Sequence, residues 1–346
     1  MSVYSKFCRA LRRALPAGVF LFVLARSAAA QQVRVATFNV EVGIGTADSV
    51  KGRAQRATLK RVNADIVAFQ ELTPRTSNEW VRLAEDLGYP HRVWGPMGPF
   101  AGSMAIGYFS RFPILESGTV SSPAGTKEFS RLPLRIMVQV PGAMRPLTLW
   151  NMHHKALYKP ADEFRRAVEA YRIVQDVLRE RAEHPDRPDQ IVMGDMNDDI
   201  ARDKDPLQAP QTGSFGTLPD SLPKNIVFGK DLPSPLSYRS FPIDAYCKMN
   251  SSLSAVEAFR EGTSDSRTHL YTQYRLDYLF VSDTIRGLDG KRPVGEIYYS
   301  ETDRGGGFPK AGSPLPPGTS LEASDHYPVF ADLLLQGEEA PKSPKE

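Results

Sequence analysis

The sequence predicts an α/β fold, in which short apolar strands alternate with helices. Apolar runs of strand length recur at Val33 to Phe38, Asp65 to Phe69, Leu147 to Met152, Ile191 to Met193 and Val329 to Leu335. Two intervening spans carry helical spacing, and 346 residues with 41% hydrophobic content can fill a large core. No internal repeat or low-complexity domain interrupts this pattern.

The first thirty residues read as a secretory signal peptide cut before Gln31. Lys6, Arg9, Arg12 and Arg13 form a basic head, Ala14 to Ala25 an apolar run, and Ala28 to Ala30 the small-residue exit. An apolar run broken by Pro16 and Gly18 is too short to span a bilayer, which needs ~20 residues. The expected protein is therefore exported, to the periplasm or the medium, with no stable membrane insertion. The leader holds five of the 43 basic residues and none of the 40 acidic ones, so the mature chain carries 38 against 40, a net of −2. That balance excludes a broadly cationic nucleic-acid clamp. Cys8 leaves with the leader, and Cys247 alone cannot form an internal disulfide.

In order, Val33 to Phe38 is a strand ending in Asn39, and Gly43 and Gly45 open a loop into a basic helix over Lys51 to Val62. The strand Asp65 to Phe69 ends in Gln70-Glu71. A helix over Ser77 to Leu87 stops at Gly88. Short strands follow near His91 to Trp94, Ser103 to Phe109 and Leu132 to Val140. Leu147 to Met152 ends in His153-His154, and Phe164, Val168, Tyr171, Val174 and Leu178 mark one face of a helix over Ala161 to Ala182. The stretch from Asp199 to about Tyr274 is too long for a plain connection and reads as surface insertions with a short strand or helix. Arg275 to Val281 is a strand, and a Gly- and Pro-rich loop over 303–320 delivers Ser324-Asp325-His326 to the last strand. One catalytic domain over 31–336 and a disordered tail over 337–346 complete the expected organisation.

The strands share one chemical feature: polar groups at their ends. Ile191-Val192-Met193-Gly194-Asp195-Met196-Asn197 places a carboxylate and a carboxamide two apart, facing the same way if the backbone stays extended. An acid that takes a proton, beside an amide that donates to an anionic oxygen, suits attack on a phosphoester. Asn39, Glu71, His153, Asp277, Asp325 and His326 add carboxylates for a hard cation and imidazoles for proton transfer. By period-2 parity Asn39 goes with Val33 and Val35, Glu71 with Val67 and Phe69, His153 with Leu147 and Leu149, and Asp277 with Leu279 and Val281. Each is expected to point inward at a sheet end, but the opposite faces are also apolar and leave the reverse assignment open; His154 is expected on the face opposite His153.

T-F-N-V at 37–40, F-Q-E at 69–71, N-x-H at 151–153, G-D-x-N at 194–197, R-L-D-Y at 275–278 and S-D-H-Y-P-V at 324–329 resemble, in order, the motifs of the endonuclease/exonuclease/phosphatase superfamily. Ser110-Arg111-Phe112-Pro113-Ile114 looks like a turn of the same family. The resemblance covers Val33 to Leu335 and implies a four-layer α/β/β/α sandwich of two packed mixed β-sheets flanked by helices. It implies Mg²⁺, or Mn²⁺, held by Glu71 with Asn39 and Asp325. It gives Asp195 the attacking water, Asn197 a phosphoryl oxygen, His326 oriented by Asp277 the developing charge, and His153 a second phosphate contact or the role of general acid. Arg111 and Lys155 are the candidate substrate-binding cations. The N-x-H form resembles the deoxyribonuclease, 5-phosphatase, deadenylase and sphingomyelinase branches, not the apurinic endonucleases.

The expected function is a secreted, monomeric, metal-dependent phosphodiesterase, nuclease-like, acting by attack of water. Arg53, Arg56, Lys60 and Arg61, with Lys155, Lys159, Arg165 and Arg166, are the clusters that would supply a cationic track for nucleic acid. The alternatives are a sphingomyelinase-like lipid phosphodiesterase or phosphatase, and a catalytically inactive protein that binds a phosphate ligand.

Overall fold

The computed structural model describes residues 30–99, 104–199, 232, 246–247 and 253–337. The expected signal peptide, most of the long stretch after Asp199, and the tail beyond residue 337 lie outside the described residues. Gly337, expected to begin a disordered tail, still bridges Ala143.

The chain runs β1 Gln31–Asn39, α1 Val50–Val62, β2 Ile66–Leu72, a 3-10 turn Pro74–Thr76, α2 Ser77–Asp86, β3 His91–Trp94, β4 Ala105–Ser110 and β5 Ile114–Thr119. It continues β6 Leu134–Val138, β7 Leu147–His153, α3 Pro160–Glu183, β8 Gln190–Asp195, β9 Leu253–Ala255 and β10 Glu257–Arg260. Then come β11 Asp277–Ser282, β12 Arg286–Gly287, β13 Val294–Ile297, α4 Thr319–Ala323 and β14 Val329–Leu335.

Among the described residues these strands build two mixed sheets, one in the order β10-β13-β14-β1-β2-β4-β3 with β12 on β14, the other β5-β6-β7-β8-β11-β9. The end of the long stretch after Asp199 supplies an edge strand to each, β10 and β9. Alternation decides the layers. Val33, Val35, Leu149, Ile191, Met193, Leu279 and Val281 meet in the core between the sheets. Ala36, Phe38, Val67 and Phe69 face Leu59, Val62, Trp80 and Leu83 of α1 and α2. Trp150, Val192 and Phe280 face Phe164, Val168 and Ile173 of α3. The result is the expected four-layer α/β/β/α sandwich.

Gly194 shows how tightly the site end of the second sheet is packed. Its φ is +137°, and a Cβ there would lie 2.0 Å from the carbonyl oxygen of Met152 on β7. No side chain fits between these parallel strands, so the glycine of G-D-x-N sets the approach of β8 to β7.

Candidate active site

Strand register assembles the site. In the second sheet His153 pairs with Asp195, and Asp195 pairs with Asp277. The last residue of β7, the last of β8 and the first of β11 thus form one row across the sheet end. Their neighbours on the same face belong to the inter-sheet core, so the row points into the seam between the sheets. Asn39 ends β1 in the other sheet and crosses that seam. Its Nδ2 donates to Asp195 Oδ2 at 2.9 Å and to Glu71 Oε1 at 3.2 Å, while its Oδ1 accepts the Glu41 N–H at 3.0 Å. A backbone N–H can only donate, so the donor side of the Asn39 amide faces the two carboxylates.

Glu71 does not obey parity. Val67 and Phe69 face the helical layer, so strict alternation would send Glu71 outward with them. Instead β2 slips against β4: Phe69 pairs with Gly107 and Leu72 with Ala105, one residue too many on β2. Glu71 sits in this bulge at φ +63° and turns into the seam. Asn151 of β7 covers the interrupted ladder by donating to Phe69 O at 2.9 Å and Gly107 O at 3.0 Å. From the other side the Val42 N–H donates to Glu71 Oε2 at 3.0 Å. That contact needs Glu41 and Val42 at φ +48° and +60°, which for an exposed β-branched residue costs on the order of 1–3 kcal/mol. Local strain is thus spent on aiming one carboxylate.

The last corner comes from Ser324-Asp325-His326. Ser324 Oγ donates to Asn39 O at 2.8 Å and accepts the His326 N–H at 3.1 Å, tying this segment to the end of β1. His326 Nδ1 lies 2.8 Å from Asp277 Oδ2, and its Nε2 is 3.8 Å from Asp195 Oδ2. His153 Nε2 is 3.5 Å from Asp195 Oδ2 and 3.8 Å from Glu71 Oε1.

Burial and charge divide the roles. Burial lowers the pKa of His153 well below the ordinary imidazole range, helped by the nearby Arg131 charge, so its ring is neutral. Burial also opposes charge on His326, but the Asp277 and Asp195 carboxylates outweigh it and push His326 up to about 10. At neutral pH it is an imidazolium with Nδ1–H on Asp277 and Nε2–H toward the cleft. Asp195 is pushed up to about 6, chiefly by burial, despite the His326 charge and its hydrogen bonds to Asn197 and Asn39. A carboxylate that titrates near neutrality, with a cationic donor beside it, suits general base catalysis.

Because the Asp277 carboxylate hydrogen-bonds only His326 among the described residues, replacing either residue by alanine should cost roughly the same factor in kcat, about 10²-fold or more. The double variant should be scarcely worse than the poorer single one. Additive losses in a double-mutant cycle would show independent action.

With this geometry in place, the chain compares as follows with known proteins. A profile of the Endonuclease/Exonuclease/phosphatase family matches residues 36–326. The chain belongs to this family. No curated protein matches the sequence. Among solved structures, the catalytic domain of human Nocturnin with bound sulfate is similar at 14% identity and a TM-score of 0.54, over 87% of this chain and 94% of that one. ANGEL2, a 2',3'-cyclic phosphatase in complex with adenosine-2',3'-vanadate, is similar at 16% identity and 0.55, over 89% and 96%. An endonuclease/exonuclease/phosphatase family protein from Bacteroides thetaiotaomicron gives 16% and 0.51, over 89% and 99%. At such identities these likenesses bear on the fold.

Of the residues expected at the family's site, Asn39, Glu71, His153, Asp195, Asp277 and His326 meet in one cleft. Asp325 adjoins it with its carboxylate 3.6 Å from His269 Nε2. Asn197 lies at the end of β8 but not by extended geometry: its φ is +52°, its N–H turns back to Asp195 Oδ1 at 2.8 Å, and its Nδ2 donates to His154 O at 3.0 Å. His154 turns away from the cleft to Glu169 and Tyr246, as parity requires.

The candidate cations fare worse. Arg111 is not brought to the cleft: it binds Asp65 and Asn63 at the start of β2, six residues and about 20 Å of strand from Glu71. Lys155 stands beside the site strand but pairs with Asp162 at 3.0 Å. Among the described residues only part of the expected cationic track faces solvent: Arg61 is buried against Asp303 at 2.8 Å, Arg56 holds Asp86, and Arg165 and Arg166 are buried, while Arg53, Lys60 and Lys159 are exposed. Helical spacing reveals charge but not a partner far along the chain. Side chains at the cleft that were not among the expected site residues are Lys51, Arg131, Asn151 and His269. Only Asn151 had a sequence signal, as the first residue of N-x-H.

Proposed function

We propose that this family member is an exported, divalent-metal-dependent phosphodiesterase that cleaves a nucleic-acid diester by attack of water. What supports this most is the convergence of Glu71, His153 and Asp195 from three strands of two sheets, with ligand atoms within 4.8 Å of one another. Buried charge is costly unless paired or bound to a cation. Here Glu71, Asp195, Asp277 and Asp325 share the cleft with the His326 imidazolium, Lys51 and Arg131. His269 lies 3.6 Å from Asp325, and Asp277 Oδ1 has no hydrogen-bond partner among the described residues. Lys51, whose pKa burial lowers, feels the charge of Glu41 first and then those of Asp325 and Glu71.

This oxygen-rich, anionic set fits a hard cation such as Mg²⁺ or Mn²⁺, with Glu71 and Asp325 to hold it and Asn39 to fix the Glu71 carboxylate. When bound, the ion would polarise a phosphoryl oxygen and neutralise developing charge. Asp195 accepts the proton of the attacking water. His326, positioned by Asp277, donates Nε2–H toward the phosphoryl group, and the second N–H of Asn197 Nδ2 is left for a phosphoryl oxygen. Neutral His153 adds a contact on the opposite side of Asp195.

A lipid phosphodiester is a second reading, favoured by one observation: Val42, Leu157 and Tyr271 are exposed on loops that border the cleft, at 58%, 60% and 73%. A screen of purified mature protein with Mg²⁺ against plasmid DNA, RNA, sphingomyelin vesicles and inositol phosphates separates these readings. Cleavage of nucleic acid is the expected result. Phosphocholine release with plasmid left intact would put the lipid reading in its place, and tight binding without hydrolysis of any substrate would identify an inactive binding protein.

A further inference from the structure

A buried group of titratable side chains stands behind the cleft and takes no part in the chemistry above. His154, the residue after β7, is held at both ring nitrogens: Nδ1 lies 3.2 Å from Glu169 Oε2 on α3, and Nε2 lies 2.6 Å from the Tyr246 hydroxyl. All three side chains are buried. Burial disfavours charge on Glu169, but the hydrogen bond and charge of His154, with the Arg165 charge, hold its pKa down to about 2. A carboxylate in that state only accepts, so Nδ1 carries the proton of this bond. The same carboxylate takes the Ser130 N–H at 2.6 Å and the Lys155 N–H at 2.8 Å.

The backbone of His154 is where this network meets the site. Its N–H donates to Asp195 O at 3.0 Å, and its carbonyl accepts Asn197 Nδ2 at 3.0 Å and Arg131 Nη1 at 3.1 Å. The Asn197 side chain makes no other hydrogen bond among the described residues, so that carbonyl aims its second N–H. The paired register of β7 and β8 ends one residue earlier, at His153 and Asp195. Beyond it the ring takes over, because an imidazole pinned at both nitrogens cannot change rotamer without breaking a bond, and its own Cα and carbonyl stay with it. Tyr246 comes from the long stretch after Asp199, 92 residues further along the chain, and packs on Phe280 of β11 with ring centroids 4.9 Å apart. One phenol thus ties that stretch to the site through a single imidazole.

We infer that His154 is a positioning residue for the reaction, its ring locked by Glu169 and Tyr246 so that its carbonyl presets the direction of the Asn197 amide, an assignment resting on the phosphoesterase reading above. His154 itself touches no substrate. A donor already aimed at the phosphoryl group needs no reorganisation as charge develops, whereas an amide free to rotate loses much of its hold on the transition state.

The test compares Tyr246→Phe, His154→Asn and Tyr89→Phe in the Mg²⁺-loaded protein, with Tyr246→Phe also combined with Asn197→Ala. Phenylalanine keeps the packing on Phe280 and loses only the hydroxyl, while asparagine keeps a donor for Glu169 and cannot reach Tyr246. Both should lower kcat for bis-(p-nitrophenyl) phosphate by about tenfold, with KM within about twofold. In the Asn197→Ala background, Tyr246→Phe should cost less than about twofold more. Hydrogen exchange of the Asn197 side-chain amide, identified in ¹⁵N spectra by its loss in Asn197→Ala, should speed up by about tenfold in both variants. Tyr89→Phe removes a buried phenol bonded to Ala64 O at 2.6 Å beside the far end of β2, and should lower the melting temperature while leaving kcat and the amide unchanged. Should His154→Asn melt early, Tyr246→Phe carries the same expectation. Absence of turnover in the wild type would refute the phosphoesterase reading, while the amide exchange would still decide the role of His154. Unchanged amide exchange in Tyr246→Phe, additive losses with Asn197→Ala, or an equal loss of kcat in Tyr89→Phe would overturn the assignment.

Discussion

Asp195→Asn should lower kcat by about 10³-fold or more without lowering the melting temperature. The rate loss follows from geometry. Asp195 Oδ2 is the atom on which Asn39, His153 and His326 converge at 2.9, 3.5 and 3.8 Å, and an amide there cannot take a proton from water. The stability expectation follows from burial. Holding this carboxylate ionised costs the fold on the order of 3 kcal/mol, given its displacement from 3.8 to about 6. The amide escapes that cost, which offsets the acceptor lost by Asn39.

The sign for pH is fixed in the same way. A carboxylate raised by burial is protonated, and useless as a base, below its folded value. Activity should therefore rise with pH through an acid limb near 6. A cation bound beside it favours the charged form, so raising the metal concentration should move that limb to lower pH. More than a tenth of wild-type activity in Asp195→Asn, or a limb that moves upward with metal, would transfer the role of base to another group such as His153.

How far the sequence exposes this site depends on how regular each strand is. Asn39, His153 and Asp195 close, and Asp277 opens, strands that keep period 2, so each shares a face with apolar residues an even number of positions away. The opposite faces are equally apolar and leave the choice of seam to the packing of the sheets. The same logic fails at Glu71, because parity counts one residue per step and the β2 bulge inserts an extra one that no pattern in F-Q-E announces. At Asn197 the expectation assumed an extended backbone, whereas the residue turns left-handed to cap Asp195. The arginine-rich helices mislead for a different reason. Arg61 meets Asp303 across 242 residues of chain, and composition shows the charge without the distant partner that cancels it.

Removing divalent metal should abolish activity, and Glu71→Ala should raise the metal concentration for half activity by at least about tenfold, far more than His326→Ala does. Glu71 is the carboxylate that the strained 41–43 turn and the β2 bulge together aim into the seam. His326 is an imidazolium bonded to Asp277, and a cation gains nothing from it. A hard ion that keeps several waters is easily stripped, so EDTA should take the rate to background and Mg²⁺ or Mn²⁺ should restore it. The same ion should be visible without turnover. Relief of the crowded carboxylates should stabilise the wild type by roughly 2.7 kcal/mol at a hundredfold excess over Kd, a rise of several degrees in melting temperature, and Glu71→Ala should lose that rise. Full activity in EDTA would refute metal dependence outright. A Mg²⁺-induced rise in melting temperature that survives in Glu71→Ala would place the ion elsewhere, with the Asp325 carboxylate as the next ligand to test.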